Sequence, residues 1–427
     1  MGPTALFDKS FLQSLSVDES VWFDNFFVAN ICPLFYFETL ADLQKKKRLR
    51  RSPEDEVRLL VQKFPEMAGV TNVWHGTLHY LNLVGYPIPM TGQIFLPRGE
   101  SVRASGYRAI VCGSSPEEEA FQRWLRGEFQ EVERWCARLW RAWFAAADFK
   151  AVAREFALTG VAAGPCSTLE DVKRCSIDAI RSESNPVPVM KMAILWSGAS
   201  EAAQRELWSR WTNAGCPALP QYAPYAAYVT TVEVFFQMAL NARLIAPERA
   251  SNRVDISYLF YLPFCTVFVS SDKLHRKCAP LFMRDNQAFV WGNDLKRDLH
   301  ALNDYYGRFD EETKQKGVMS FAGVPPKDGD FLVSRLWDRF RPGWRERRQS
   351  EAPVAPPRSP SGEYLEELRK AKAARPPSRH DIDFQPEEAD IISVKHLIRK
   401  KKGSWWQVPK DLADQRDAYR AFGGELR

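Results

Sequence analysis

Two acidic residues stand just past short apolar runs that read as buried strands. Asp8 follows Thr4-Ala5-Leu6-Phe7, and Asp272 follows Thr266-Val267-Phe268-Val269-Ser270-Ser271. Two more lie in helix-like stretches: Glu38 within Leu34-Phe35-Tyr36-Phe37-Glu38-Thr39-Leu40, and Asp255 within Arg253-Val254-Asp255-Ile256-Ser257. A carboxylate past an apolar run is costly to bury unless a partner or a cation compensates it. Hydroxyls flank both strand-end acids, Ser10 near the first and Ser270 and Ser271 near the second, which suits the rim of a buried parallel sheet. Carboxylates gathered there would take a hard cation, Mg²⁺ or Mn²⁺, the usual equipment for cutting phosphodiesters. Each acid also has a plainer reading as a solvated loop residue or a helix cap, and Asp255 and Asp272 each suit the cap of a following helix.

The order of these segments resembles the PIN-like nuclease family. In that pattern a first strand ends in an acid and a hydroxyl, and a second acid sits in an early helix. A third acid opens a helix, and a later strand ends in hydroxyl-hydroxyl-acid. Asp8 with Ser10, Glu38, Asp255, and Ser270-Ser271-Asp272 match these steps in turn. The match covers about residues 1–44 and 226–305, under a third of the chain.

The resemblance implies an α/β fold, a PIN-like three-layer α/β/α parallel sheet. It implies metal-dependent hydrolysis of phosphodiester bonds, in RNA more than DNA, by a water that carboxylate-bound Mg²⁺ or Mn²⁺ activates. Asp8, Asp255 and Asp272 are then the expected metal ligands, and Glu38 acts directly or through water. Ser10, Ser270 and Ser271 would hydrogen-bond the carboxylates. Asp42, four residues after Glu38 on one helical face, and Asp294 are spare candidates. Clustered carboxylates repel, so Asp8→Asn and Asp272→Asn are expected to hold or gain stability. More than two hundred residues part Glu38 from Asp255, so a large insertion interrupts the pattern. The alternative is a non-catalytic PIN-like scaffold that binds nucleic acid or a protein partner.

Composition sets outer bounds. A chain of 427 residues can hold two or three domains, or one with a large insertion. Its 45% hydrophobic and 13% aromatic content supports a sizeable core. A net charge of +6 permits nucleic acid as a partner but is no strongly basic footprint. Eight scattered cysteines without a CxxC pair exclude a zinc finger and a disulfide scaffold, which points to a reducing compartment. No secretory leader or long apolar run is evident, so a cytoplasmic protein without a membrane partner is expected.

The positioning elements follow from periodicity. Residues 4–8 read as a strand, 11–30 as helical, and Pro33 precedes the helix with Glu38. The insertion is drawn at 45–225, mainly helical. It includes a short helix at His75–Leu83, and Gln93–Leu96 with Tyr107–Cys112 as a hairpin or a small sheet extension. From Pro116 through Ala147 one apolar stripe runs for about eight turns, with its tryptophans assigned to the core. Further helices are expected at 148–159, 168–182, 199–213 and 226–245. The returning part, 226–305, ends in a strand at Gln287–Trp291 and a helix at Asp294–Tyr306. Residues 306–345 form an extension, and 346–427 a Pro-rich, basic, partly disordered tail whose loss after about residue 345 should leave the fold intact.

Three other features were candidates. The basic run Lys45, Lys46, Lys47, Arg48, Arg50 and Arg51 beside the Glu38 helix suits phosphate tracking, or simply a solvated face. Arg399-Lys400-Lys401-Lys402 before Trp405-Trp406 suits single-stranded nucleic acid, or an anchor for the tail. His75 and His79 have the spacing of zinc ligands on a helix but lack a third, so core or surface histidines are the better reading; His275 reads as an exposed histidine.

Overall fold

The protein is seen in a computed structural model that describes residues 2–45, 51–95, 100–104, 107–112, 115–158, 166–184, 186–346, 391–394 and 398–411. The principal strands, in chain order, are β1 (Thr4–Phe7), β2 (Val28–Ile31), β3 (Gly69–Thr71), β4 (Glu100–Ala104), β5 (Tyr107–Cys112), β6 (Val267–Ser270), β7 (Ala288–Trp291) and β8 (Ile391–Val394). Five of them form a parallel sheet in the order β3-β2-β1-β6-β7, with helices around it, so the class is α/β. In register, Ala5 faces Ala29 on one side and Val267 on the other, while Phe7 faces Val269. The chain leaves the sheet after β3 and returns through β6.

Burial on both faces explains why these strands are short and almost wholly apolar. All four residues of β1 and of β6 are buried. The same property hides β2 in the sequence. Val28–Ile31 lies inside the stretch read as helix, because a short two-sided strand carries no alternation that separates it from a buried helix. That stretch is instead two helices, Lys9–Ser14 and Val17–Phe26, followed by β2. The second helix starts at a Ser16/Glu19 capping box. Near its end, buried Asp24 accepts the backbone N–H groups of Glu66, Met67 and Ala68, which seats the entry to β3. Because β3 lies at 69–71, the sheet's N-terminal part runs past the boundary at residue 44.

The insertion is helical, as periodicity indicated, with three differences. The stripe of 116–147 is broken into Pro116–Leu125 and Glu131–Ala146, with Gly127 at φ +78° in the break. Only glycine takes that left-handed backbone without strain. Trp124 is fully buried, but Trp135 and Trp143 are exposed, so the core assignment fails for them. The hairpin pairs Tyr107–Cys112 with Glu100–Ala104, not with Gln93–Leu96. Helix Pro224–Asn241 is buried along most of its length and packs against helices His75–Leu83, Phe149–Leu158 and Leu169–Arg181. One hydrophobic core thus runs from the sheet into the insertion. Among the described residues no helix is long and apolar enough to cross a membrane.

The tail holds a strap. Arg399 Nε pairs with buried Glu66 at 2.6 Å, and the buried Lys402 ammonium donates to the Phe64 carbonyl at 2.8 Å. The Trp405 ring meets Trp22 at 4.6 Å, and its Nε1 donates to Asn303 at 2.9 Å. Of the two readings of Arg399–Trp406, these contacts fit the anchor, so this part of the tail is expected to add stability rather than to be dispensable. Trp405→Ala should destabilise the protein by about 3–5 kcal/mol, the usual cost of a buried tryptophan. Thermal unfolding checks this, and an unchanged midpoint would show the strap to be ornamental.

Candidate active site at the carboxyl edge of the sheet

From β1 the chain moves to β2 on one side, and from β6 to β7 on the other. The order therefore reverses between β1 and β6, where open α/β sheets form a crevice beyond the carboxyl ends of the strands. Asp8 follows β1 and Ser270-Ser271-Asp272 closes β6, so the register that pairs Phe7 with Val269 brings both acids to this edge. The Asp8 N–H donates to the Val269 carbonyl.

Asp8 is buried and fully engaged. Its Oδ1 accepts the Phe11 N–H at 2.9 Å, capping Lys9–Ser14, and its Oδ2 accepts the hydroxyls of Ser10 at 2.6 Å and Ser270 at 2.8 Å. His275 Nδ1 lies 3.4 Å from the same oxygen and 2.8 Å from Ser270 Oγ. Its Nε2 is 2.7 Å from the Asp255 carbonyl, which can only accept. With Ser270 donating to Asp8 and accepting the Asp272 N–H at 2.9 Å, a proton on His275 Nδ1 completes the network. Both ring nitrogens then carry protons, and His275 is an imidazolium. Burial alone would lower its pKa, but the hydrogen bond and charge of Asp8, with the charge of Asp255, raise it to about 9. Burial alone would raise Asp8, yet His275 and Ser10 hold it below the ordinary carboxylate range. The reading of His275 as exposed is thus corrected: it is buried at the centre of the site.

The other acids are bound less tightly. Glu38, on helix Pro33–Ala41, accepts a short hydrogen bond from the Tyr258 hydroxyl through Oε2. Burial pushes its pKa up, opposed by Lys9 and Tyr258 and reinforced by the charge of Asp8. Lys9 Nζ donates to the Glu38 carbonyl at 2.8 Å and pairs with Asp42 at 2.7 Å. Asp42 also meets Lys45 at 2.9 Å, so it secures Lys9 rather than joining the acids. Asp272 caps Lys273–Phe282 by accepting the Leu274 N–H at 2.6 Å, and its other oxygen lies 3.9 Å from Arg249.

Asp255 differs. Ser251 occupies the N-cap of its helix, so Asp255 is not a cap, and no described residue donates a hydrogen bond to its carboxylate. Burial, with the charges of Asp272 and Glu38 and against that of His275, raises its pKa to about 7.

Of the remaining candidates, the Ser271 hydroxyl is buried without a hydrogen-bond partner among the described residues, unlike Ser10 and Ser270. Asp294 pairs with Arg297 on the surface. His79 is buried in the core and His75 half-buried beside it, and desolvation lowers both pKa values. Lys46, Lys47, Arg48 and Arg50 lie outside the described residues, and Arg51 is exposed. Among the described residues no three His, Cys, Asp or Glu side chains stand ready to enclose an ion. His275 and Tyr258 are the site groups the sequence reading passed over. The spacing Asp272-x-x-His275 was the available signal, since it returns the imidazole to the face of the helix start.

Comparison with protein-family models, with curated proteins and with solved structures gave no match.

The two kinds of acid should respond oppositely to neutral replacement. A carboxyl with a raised folded pKa binds its proton more tightly folded than unfolded. Asp255 therefore costs stability progressively between about pH 4 and pH 7, and the penalty stays constant above that. In chelator-containing buffer, Asp255→Asn should raise the melting temperature by a few degrees at pH 8 and leave it nearly unchanged at pH 4. Asp8 has a lowered pKa, so its contribution is present above the unfolded value and is lost as pH falls. Asp8→Asn should cost about 3 kcal/mol at pH 7 by stranding a buried imidazolium, contrary to the stability expected from sequence. Melting curves of both variants decide, and a stabilised Asp8→Asn would remove the ion pair from the account.

Proposed function

We propose that the chain is a metal-dependent nuclease on a PIN-like sheet, hydrolysing phosphodiester bonds. The carrying observation is the Asp255 carboxylate: largely shielded from water, given no hydrogen bond by any described residue, and electrostatically coupled to Glu38 and Asp272 beside the β1–β6 crevice. Charge so poorly compensated is what a cation relieves. The donor set is all carboxylate oxygen, which fits Mg²⁺ or Mn²⁺. Asp255 would hold the ion with the unused oxygens of Glu38 and Asp272. Mg²⁺ commonly takes one or two carboxylates, substrate phosphate and several waters, so a ready-made protein cage is not required. When bound, the metal would supply an activated water and neutralise charge at the scissile phosphate.

The protein's own groups have defined tasks in this reading. Tyr258 fixes the Glu38 carboxylate through its hydroxyl. Asp8, itself held by Ser10, Ser270 and His275, anchors the crevice and, through His275, the Asp255 backbone. Arg249, beside Asp272 and largely exposed, offers a cation to an incoming phosphate. The PIN-like assignment draws on the strand order and on the place of each acid along it. A second reading, a non-catalytic scaffold for nucleic acid or a protein, draws on the His275–Asp8 pair, which already compensates one acid without a metal.

The two readings separate in a cleavage assay on single-stranded RNA and DNA with Mn²⁺, RNA being the expected better substrate. Asp255→Asn and Glu38→Gln should each lower cleavage by about two orders of magnitude or more while remaining folded. Mn²⁺ should raise the melting temperature of the wild type and not that of Asp255→Asn. Nucleic-acid binding without cleavage or metal stabilisation would favour the scaffold.

A further inference from the structure

Helix Glu131–Ala146 packs one side on the protein: Glu133 and Ala137 are buried, and Trp140 stacks on Phe37 at 5.2 Å. Its outer edge carries Val132, Trp135, Leu139 and Trp143, exposed by 57%, 52%, 47% and 54%. Large apolar side chains aligned on one exposed helix edge, two of them tryptophan, are what a protein interface buries.

The spacing of this stripe points to its occupant. From Leu139 it runs four residues to Trp143 and three more to Ala146. In the other direction it runs four residues to Trp135 and three more to Val132. The stripe therefore reads the same from either end. All five positions fall within roughly 80° of helix circumference, so they form one contact line. Two copies laid antiparallel about a two-fold axis at Leu139 set that residue against itself. Each Trp135 then meets the second copy's Trp143, and each Val132 meets its Ala146. Such self-complementarity is the requirement of an isologous interface and is not needed for an unrelated partner. The rim charges are already matched: Arg138 pairs with Glu131 at 3.0 Å and Arg134 with Glu54. A face with compensated charge is poorly suited to a phosphate backbone.

We infer that this chain forms a two-fold homodimer through antiparallel pairing of the Glu131–Ala146 helices, with Leu139 on the axis. The interface lies one helix away from Glu38, because the same helix packs on Pro33–Ala41, but it does not depend on the nuclease reading.

A short bismaleimide cross-linker on the full chain tests both the dimer and its direction. The wild type serves as the background for the native cysteines. Leu139→Cys should give several-fold more covalent dimer than Val132→Cys, since antiparallel pairing parts the two Val132 positions by about 21 Å along the helix. Sedimentation at micromolar concentration should show a wild-type dimer and a Leu139→Glu monomer that keeps the wild-type helical circular dichroism and unfolds cooperatively. Two results would each overturn the inference. One is a monomeric wild type, in which case quenching of its tryptophan fluorescence by a single-stranded oligonucleotide, lost in Trp143→Ala, would assign the stripe to nucleic acid instead. The other is equal cross-linking at both positions, the mark of a parallel pair.

Discussion

The ion pair between Asp8 and His275 joins parts of the chain that are more than two hundred residues apart. Asp8 ends β1, Ser270 ends β6, and His275 lies in the first turn of the helix that Asp272 caps. Through Nε2 the same imidazolium holds the Asp255 carbonyl, and so the helix that precedes β6. A buried charge is tolerated only when it is paired and hydrogen-bonded, and here both ring nitrogens and both carboxylate oxygens of the core pair have partners. The N-terminal and returning halves of the sheet are thereby locked at the edge where the acids gather. The insertion can leave after β3 and return before β6 without loosening that edge.

This lock divides the acids by role. Asp8 is spent on architecture, with both oxygens committed and its negative charge answered by His275. Asp272 is half committed, as a cap. Asp255 and Glu38 bear the raised pKa values, because burial outweighs the compensation their neighbours supply. One local set of carboxylates thus contains both a clamp and acids whose charge is poorly compensated. The difference arises from hydrogen-bond supply: Asp8 receives three protein donors besides the imidazolium, and Asp255 receives none from the described residues.

The insertion is likewise integrated. Helix Pro224–Asn241 joins the helices of the insertion to the returning chain. Asn82 accepts the Tyr225 and Ala226 N–H groups at its start, and the hydroxyls of Tyr225 and Tyr228 donate to the carbonyls of Phe260 and Leu259. On the opposite flank the strap at 398–408 closes over Trp22, Phe64 and Glu66, which belong to the N-terminal half. These contacts make the shared core a tertiary property that a domain map drawn by composition does not contain.

Much of this was legible in the residues alone. Long amphipathic helices such as Leu169–Arg181 and Glu201–Asn213 declare themselves by period, and the apolar runs before Asp8 and Asp272 by their bounded length. The order of the acids was readable too, with Ser10 and Ser270 as the hydroxyls beside them. Other features could not be read locally. The strand Val28–Ile31 lies in a sheet covered on both faces and is too short to show a period. Gly69–Thr71 is too short to register, and its place in the sheet is set by Asp24 reaching across from another helix. The burial of His275, the engagement of Asp8 and the freedom of Asp255 depend on which donors the β1–β6 pairing brings within reach. Helical period likewise marks the apolar edge of Glu131–Ala146 but cannot say that no described residue covers it. Sequence specified the residue types and their local periods; only the tertiary contacts decided which charge was neutralised, because hydrogen bonding and desolvation act across space.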